Sequence, residues 1–267
     1  MATTPRGLQG TPCWVSLRTQ DIAAAQAFYG SVLGWEFKPG VQGQGEYSVA
    51  LANGLPVAGL VESTRTMGVK LPTVWTAHFA ADSADTVASR IRERGGTVAV
   101  GPIAFGRGRS IWAADPGDAL FCVWEGHVDT GWHAGRRTNA VAWLELRTRD
   151  PFAAALFYGG VFEWDSWAPD RIDVRYEHDR VMLRADGQTV AGIYGSGATQ
   201  AQDPTVRPQW HVHFCRSDVD AVVERARAAG GTVVSAPEDT PLGRTATLRD
   251  PEGGLFHLTS GEQQPSE

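Results

Sequence analysis

Three histidines and one carboxylate hold most of the chemical potential of this sequence. His211 and His213 stand two apart in Trp210-His211-Val212-His213-Phe214, His257 lies near the C-terminal end, and Glu145 sits in Trp143-Leu144-Glu145-Leu146-Arg147. In an extended strand residues two apart share a face, so His211 goes with His213, and Glu145 with Trp143 and Arg147. Imidazoles beside a carboxylate do one of two things. They bind a divalent metal, or they move protons, because an imidazole titrates near neutrality and a nearby carboxylate orients it. A poorer set, His78 and Cys122, has the types of a thiol nucleophile and its base, although an isolated cysteine is more often a small hydrophobe. The chain also carries 10 tryptophans. Flat aromatic walls select flat or apolar ligands by stacking and burial, in competition with ordinary core packing.

The elements that must position these residues are written twice. Trp14–Trp35 and Trp143–Trp164 align without a gap, about half of their positions being identical. A second gap-free match runs from His78-Phe79 against His213-Phe214, through Gly95-Gly96-Thr97-Val98 against Gly230-Gly231-Thr232-Val233, to Asp115-Pro116 against Asp250-Pro251. The repeat is too long for a solenoid, so each copy is expected to be a domain with its own core. The limits are a first domain at 8–126, a linker at 127–138 without periodicity, and a second domain at 139–262. Limited proteolysis between Gly126 and Thr138 is expected to leave two folded halves.

Within the first copy, alternation over Pro12–Thr19 reads as a strand. Asp21 caps a helix that ends at Gly34, where a positive φ is needed. Strands follow at 46–52 and 55–61 across an Asn53-Gly54 hairpin turn, with a further short strand expected. The pattern restarts with a strand at 74–81 and an amphipathic helix at 82–94 closed by Gly95-Gly96. It ends with strands at 97–100, 110–114 and 119–124, the last two joined by Asp115-Pro116-Gly117-Asp118. The second copy repeats this plan to about Gly261, followed by a polar tail.

Composition narrows the function classes. A net charge of −6, with no basic cluster beyond Arg136-Arg137, disfavours nucleic acid as a partner. No apolar run approaches the ~20 residues of a membrane span, and the N-terminus does not read as a signal peptide. Three scattered cysteines without a CxxC point to a reducing, cytoplasmic setting rather than a disulfide framework.

Two βαβββ-like units per copy, a helix ending Phe-Tyr-Gly, the Gly-Gly-Thr-Val step and Asp-Pro-x-Gly before the last strand together resemble the vicinal oxygen chelate superfamily, the group of glyoxalases, bleomycin-resistance proteins and extradiol dioxygenases. The first copy departs from the last motif with Gly117-Asp118. The resemblance implies an α+β fold of two tandem domains, each a curved mixed sheet enclosing a cup, with helices outside and ligand or chemistry inside. Metal ligands of the family sit on inward positions of the first and last strands of each unit. Here the first-strand positions are Trp14 and Trp143, which cannot bind metal. The inward set implied for the first cup is Trp14, Ser16, Thr76, His78, Cys122 and Trp124. For the second it is Trp143, Glu145, His211, His213, His257 and Thr259, with Arg147 at the rim.

On this basis Glu145, His211 and His257 are the candidate catalytic groups. Trp14, Ser16, His78, Cys122, Trp124, Trp143, Arg147 and His213 are the candidate ligand-binding groups. No cofactor is expected. If a divalent metal is held, Glu145, His211 and His257 would hold it. The leading expectation is an enzyme of small-molecule metabolism that handles an aromatic or polyketide-like compound by acid/base chemistry in the second cup, as a monomer or homodimer. The alternatives are a protein that sequesters such a compound, and a metal-dependent glyoxalase, lyase or dioxygenase.

Overall fold

The computed structural model describes residues 9–40, 46–62, 72–128, 132, 134, 141–164, 173–177, 180–185, 188–195, 207–240 and 243–261. The segment 1–7, most of the linker at 127–138 and the tail at 262–267 lie outside the described residues. The order βαβββ occurs four times. The first module is β1 (Pro12–Thr19), α1 (Ile22–Leu33), β2 (Glu36–Pro39), β3 (Tyr47–Ala52) and β4 (Leu55–Glu62). The second is β5 (Val74–Ala80), α2 (Ala84–Glu93), β6 (Thr97–Phe105), β7 (Gly108–Ala114) and β8 (Leu120–Glu125). The third is β9 (Val141–Thr148), α3 (Pro151–Phe162), β10 (Asp173–Glu177), β11 (Arg180–Ala185) and β12 (Gln188–Gly195). The fourth is β13 (Gln209–Cys215), α4 (Val219–Ala228), β14 (Thr232–Thr240), β15 (Gly243–Arg249) and β16 (Leu255–Thr259).

Each copy of the repeat supplies one eight-stranded mixed sheet, β2-β3-β4-β1-β5-β8-β7-β6 in the first and β10-β11-β12-β9-β13-β16-β15-β14 in the second. The parallel pairs β1–β4 and β5–β8 follow from the helical crossovers, and the hairpin-linked pairs are antiparallel. This is the tandem α+β architecture expected from the repeat.

Local chemistry explains the element ends. The Asp21 carboxylate accepts from Ala24 N–H at 2.9 Å, and Asp150 from Ala153 N–H at 2.8 Å. Gly34 closes α1 in the left-handed region, while its counterpart Glu163 closes α3 at φ 59° and is ion-paired with Arg90 at 2.7 Å. Asn53 and Gly54 both take positive φ, as a tight primed hairpin turn requires. Helix α2 starts two residues later than expected because Ser83, not Asp82, is its cap. Strand β6 runs to Phe105 rather than Val100, since register shifts after Val98 and Val100 carry it past Gly101-Pro102. No helix among the described residues is long and apolar enough to cross a membrane.

Side-chain packing groups the modules in another way. One compact unit comprises residues 1–14, 77–134 and 143–210, and the other 15–76, 135–142 and 211–267. The first therefore joins the second and third modules, and the other joins the first and fourth, so each holds one module from each copy. In the first, Phe79 packs on Trp210 at 5.1 Å and on Phe162 at 5.2 Å, and Phe121 on Tyr158 at 5.3 Å. In the other, Phe214 meets both Trp35 and Trp75 at 5.1 Å, and Tyr29 meets Phe256 at 5.6 Å. The same buried relay closes both. Trp210 Nε1–H donates to Tyr158 Oη at 2.9 Å, and Tyr158 O–H to Asp115 at 3.1 Å. Trp75 Nε1–H donates to Tyr29 Oη at 3.0 Å, and Tyr29 O–H to Asp250 at 2.8 Å. The Gly-Gly steps serve this contact, because a Cβ at Gly96 would come within 2.9 Å of Phe157, and one at Gly231 within 3.0 Å of Phe28.

Candidate functional site

The histidines of the second copy are brought together by strand parity. Val212 and Phe214 of β13, and Phe256 and Leu258 of β16, are fully buried among aliphatic and aromatic neighbours. Alternation then puts His211, His213 and His257 on the opposite face of the sheet. His213 is the direct parallel neighbour of His257, and Thr247 on β15 its antiparallel neighbour. The His213 and His257 rings stack at 4.5 Å with 18° between their planes. His211 Nδ1 lies 2.7 Å from His257 Nε2, and His257 Nδ1 lies 3.0 Å from Thr247 Oγ1. His213 and His257 are buried, whereas His211 is partly exposed. The result is a hydrogen-bonded row, Thr247–His257–His211, with His211 as its partly exposed member. Sequence reasoning missed Thr247. Aligning β15 against β16 with His257 as reference would have found it, because antiparallel partners share a face.

Glu145 belongs to the other packing unit, with Trp143 and Arg147. Leu144 and Leu146 are fully buried on the helix side, so these three share the opposite face. Arg147 Nε donates to Glu145 Oε1 at 2.5 Å, the carboxylate being buried and the guanidinium 44% exposed. Trp143 meets Tyr194 edge to face at 5.6 Å, and the Tyr194 hydroxyl reaches Met182 Sδ at 3.5 Å. Gly192, partnered with Glu145, keeps this wall open, since a Cβ there would come within 2.5 Å of the Tyr194 ring and 3.2 Å of Trp143. Tyr194 extends the aromatic surface, and Met182 its apolar margin, beyond the residues expected from sequence.

In the first copy, Trp14, His78, Cys122 and Trp124 share one packing unit, and Ser16 and Thr76, both buried, belong to the other. His78 pairs with Cys122 across β5 and β8, and Trp112 pairs with Cys122 across β7 and β8. Phe105 lies 6.4 Å from both Trp112 and Trp124, and Trp14 lies 5.9 Å from Trp132, so the face is aromatic. Burial holds the His78 imidazole down to about 3 and pushes the Cys122 thiol well up. Both are therefore neutral at pH 7, and a buried thiol that resists ionisation is a poor nucleophile. Arg18, the counterpart of Arg147, donates through Nε and Nη2 to the Pro72 carbonyl.

Comparison with known proteins agrees with this architecture. A family model described as a glyoxalase-like domain matches residues 143–259, and one described as bleomycin resistance protein-like N-terminal matches residues 12–49. The anthracycline biosynthesis protein DnrV of Streptomyces peucetius is 35% identical over 262 residues, covering 93% of this chain and 92% of its own. The chain belongs to the vicinal oxygen chelate superfamily. A Mycobacterium tuberculosis member of this group named "Putative glyoxylase CFP32" is 33% identical over 254 residues, covering 94% of each chain. Among solved structures, the Mn(II)-bound glyoxalase of Novosphingobium aromaticivorans aligns with a TM-score of 0.58 at 18% identity, over 95% of this chain and 83% of its own. A homoprotocatechuate 2,3-dioxygenase variant from B. fuscum aligns with a TM-score of 0.60 at 11% identity, over 100% and 76%.

Vicinal oxygen chelate neighbours that hold a metal raise the question of whether these residues fit one. Two nitrogens bound to the same metal at ~2.0–2.1 Å stand more than ~3 Å apart. His211 Nδ1 and His257 Nε2 approach to 2.7 Å and share a proton instead. Trp143, at the position where the resemblance implies a ligand, has no metal-binding atom, and Glu145 is engaged by Arg147. Among the described residues no group of three or more His, Cys, Asp or Glu could hold a metal ion. As arranged, the donors do not fit. Purified protein is expected to contain far less than one equivalent of Fe, Mn, Ni or Zn by elemental analysis, and EDTA is expected to leave its melting temperature unchanged. One tightly held metal per chain, lost on His211→Ala, would be the contrary result.

Proposed function

We propose that the chain is an enzyme of specialised metabolism that performs acid/base chemistry on an aromatic, polyketide-like compound, with His211 as the proton-transferring group. The observation that carries this reading is the 2.7 Å contact between His211 and His257 with Thr247 behind it. If His257 Nδ1–H donates to Thr247, His257 Nε2 accepts from His211 Nδ1–H, and His211 Nε2 is left as a base. If the Thr247 hydroxyl donates to His257 Nδ1, both bonds reverse and His211 Nε2–H is an acid. As a base, His211 takes a substrate proton on Nε2 and becomes an imidazolium still held through Nδ1–H to His257, and the same Nε2–H returns the proton, so one residue serves both halves of the transfer. His213 stacks on His257 and fixes its ring plane. Glu145 holds Arg147, whose exposed guanidinium suits an anionic oxygen on a ligand.

The substrate class rests on the aromatic walls formed by Trp143 with Tyr194, and by Trp14, Trp112 and Trp124, together with the anthracycline biosynthesis named for DnrV. The first copy keeps a ligand-binding role, with Ser16, His78 and Cys122 as small or neutral polar positions. The limits 8–126 and 139–262 are part of the same proposal as the bounds of the two copies, each the span of one sheet and not an independently folding piece.

Anthracycline aglycones are the test ligands, with binding followed by tryptophan quenching and conversion by chromatography with mass detection. His211→Asn and His257→Asn are expected to lower turnover by about 10²–10⁴-fold, with affinity changed far less, since general acid/base catalysis contributes on that order. Thr247→Val is expected to shift the pH profile of turnover while leaving affinity intact. Full turnover in both histidine variants would remove the assignment. Tight binding without conversion by the unaltered protein would favour sequestration, the reading suited to the bleomycin-resistance-like match in the first copy.

A further inference from the structure

Helix α3 carries no charged side chain over Pro151–Phe162, and Tyr158 supplies its only hydrogen-bonding side chain. A helix that is apolar all round belongs in an interior. Its inner side is buried through Ala154, Phe157, Tyr158, Val161 and Phe162, yet Phe152 is 62% and Leu156 53% exposed. Among the described residues they are the only large exposed hydrophobic side chains on a helix, and they lie one turn apart on the same face. The fold does not require them, because the matching positions of α1 are Ala23 and Ala27, also exposed.

The residues around this pair are arranged symmetrically. Counting from Leu156, Phe152 and Gly160 stand four residues away on either side, and Arg149 and Glu163 seven. At 3.6 residues per turn these offsets keep Phe152, Leu156 and Gly160 on one stripe, with Arg149 and Glu163 at its two ends. Gly160 is a flat place in the stripe, since the Arg94 guanidinium lies across it where a Cβ would collide. The ends are a cation before the helix and an anion after it, both exposed. In α1 the same positions read Gln20, Ala23, Ala27, Ser31 and Gly34, with neither bulk nor charge.

We infer that α3 is the contact surface of a homodimer, in which two copies of the chain set their α3 helices antiparallel about a two-fold axis at Leu156. A two-fold contact requires a surface complementary to itself, and this stripe is one. Leu156 meets its own copy. Phe152 of each chain covers Gly160 of the other, with its ring against the Arg94 guanidinium in a cation–π contact. Arg149 of each chain stands opposite Glu163 of the other, a pairing that adds to the bond Glu163 accepts from Arg90 and displaces none. Parallel packing would instead set Arg149 on Arg149 and Glu163 on Glu163. The charges set the direction, and the apolar pair supplies the attraction. Built on one helix and its margins, the contact is at the small end of specific interfaces, with a dissociation constant of about 1–100 μM. The inference does not depend on the chemistry proposed for His211.

Sedimentation velocity and light scattering of the full-length protein across that concentration range are expected to show a monomer–dimer equilibrium. Leu156→Glu is expected to weaken it at least about 100-fold, since two carboxylates would meet at the axis out of water, while the monomer keeps its circular dichroism. Arg149→Glu and Glu163→Arg should each weaken association, and the double variant should restore it, which tests the register. A short bismaleimide is expected to join two chains of Leu156→Cys but not of Ala27→Cys, the native Cys13, Cys122 and Cys215 being buried. A monomer at every concentration, a dimer undiminished in Leu156→Glu, equal cross-linking of the two cysteine variants, or a double charge variant no better than the single ones would overturn the inference. A chain that stays monomeric but binds phosphatidylcholine vesicles through Leu156 would assign the face to a lipid surface and overturn it as well.

Discussion

Produced separately, residues 1–126 and residues 139–267 are each expected to lack a cooperative thermal transition and native near-ultraviolet circular dichroism, and to regain both on mixing. The reason is where the aromatic core lies. Phe79 and Phe121 of the first copy are packed by Tyr158, Phe162 and Trp210 of the second. Phe214 and Phe256 of the second are packed by Trp35, Trp75 and Tyr29 of the first. Arg216, whose burial lowers its pKa to about 10, donates to the Leu33 carbonyl at 2.9 Å. Losing the partner of one large buried aromatic costs about 3–5 kcal/mol. A whole domain is stable by only about 5–15 kcal/mol, so losing several at once exceeds what either half holds. Chain cleaved only in the linker should remain one particle in gel filtration. A separated half that melts cooperatively with a native near-ultraviolet spectrum would contradict this account, and would restore the independently folded halves expected from the repeat.

Acid is expected to destabilise the protein through His78. Its folded-state pKa is held at about 3 by burial, against 6.5 for an unperturbed imidazole. A depressed pKa contributes stability that is present above the unfolded value and is lost as pH falls toward the folded one. The window is therefore about pH 6.5 to 3, and at 1.36 kcal/mol per unit the loss is on the order of 4–5 kcal/mol. Asp115 and Asp250 act in the opposite sense. Burial raises both, so the stability they contribute is present at low pH and is lost as pH rises through their folded values. Comparing the unaltered protein with His78→Gln isolates the histidine, because the two aspartates are common to both. Denaturant midpoints should fall more steeply below pH 6.5 in the unaltered protein, and parallel curves would show that His78 is not the group responsible. A neutral His78 at physiological pH also fits a first copy that binds uncharged aromatic surface rather than one that moves protons.

The sequence by itself determined the fold and the faces. Hydrophobic alternation in β1, β5, β9 and β13 is a short-range property, so it places Trp14, His78, Glu145 and His211 opposite the helices without reference to partners. Caps such as Asp21 and Asp150 are equally local, as is the Asn53-Gly54 turn. The duplication then supplied the order of modules. What a residue touches depends on register and packing, and these are set by contacts far apart in sequence. Thr247 became a partner of His257 through the β15–β16 pairing. Glu145, assigned from sequence to the histidines, is paired with Arg147 two residues along its own strand. Two identical-looking helix entrances also diverged, the first being seated by Glu252, whose counterpart in the other copy is Gly117. The repeat makes the copies look self-sufficient because strand pairing follows each copy. Only the tertiary structure shows that their helices and aromatic rings are buried against the other copy, since apolar burial has no direction along the chain.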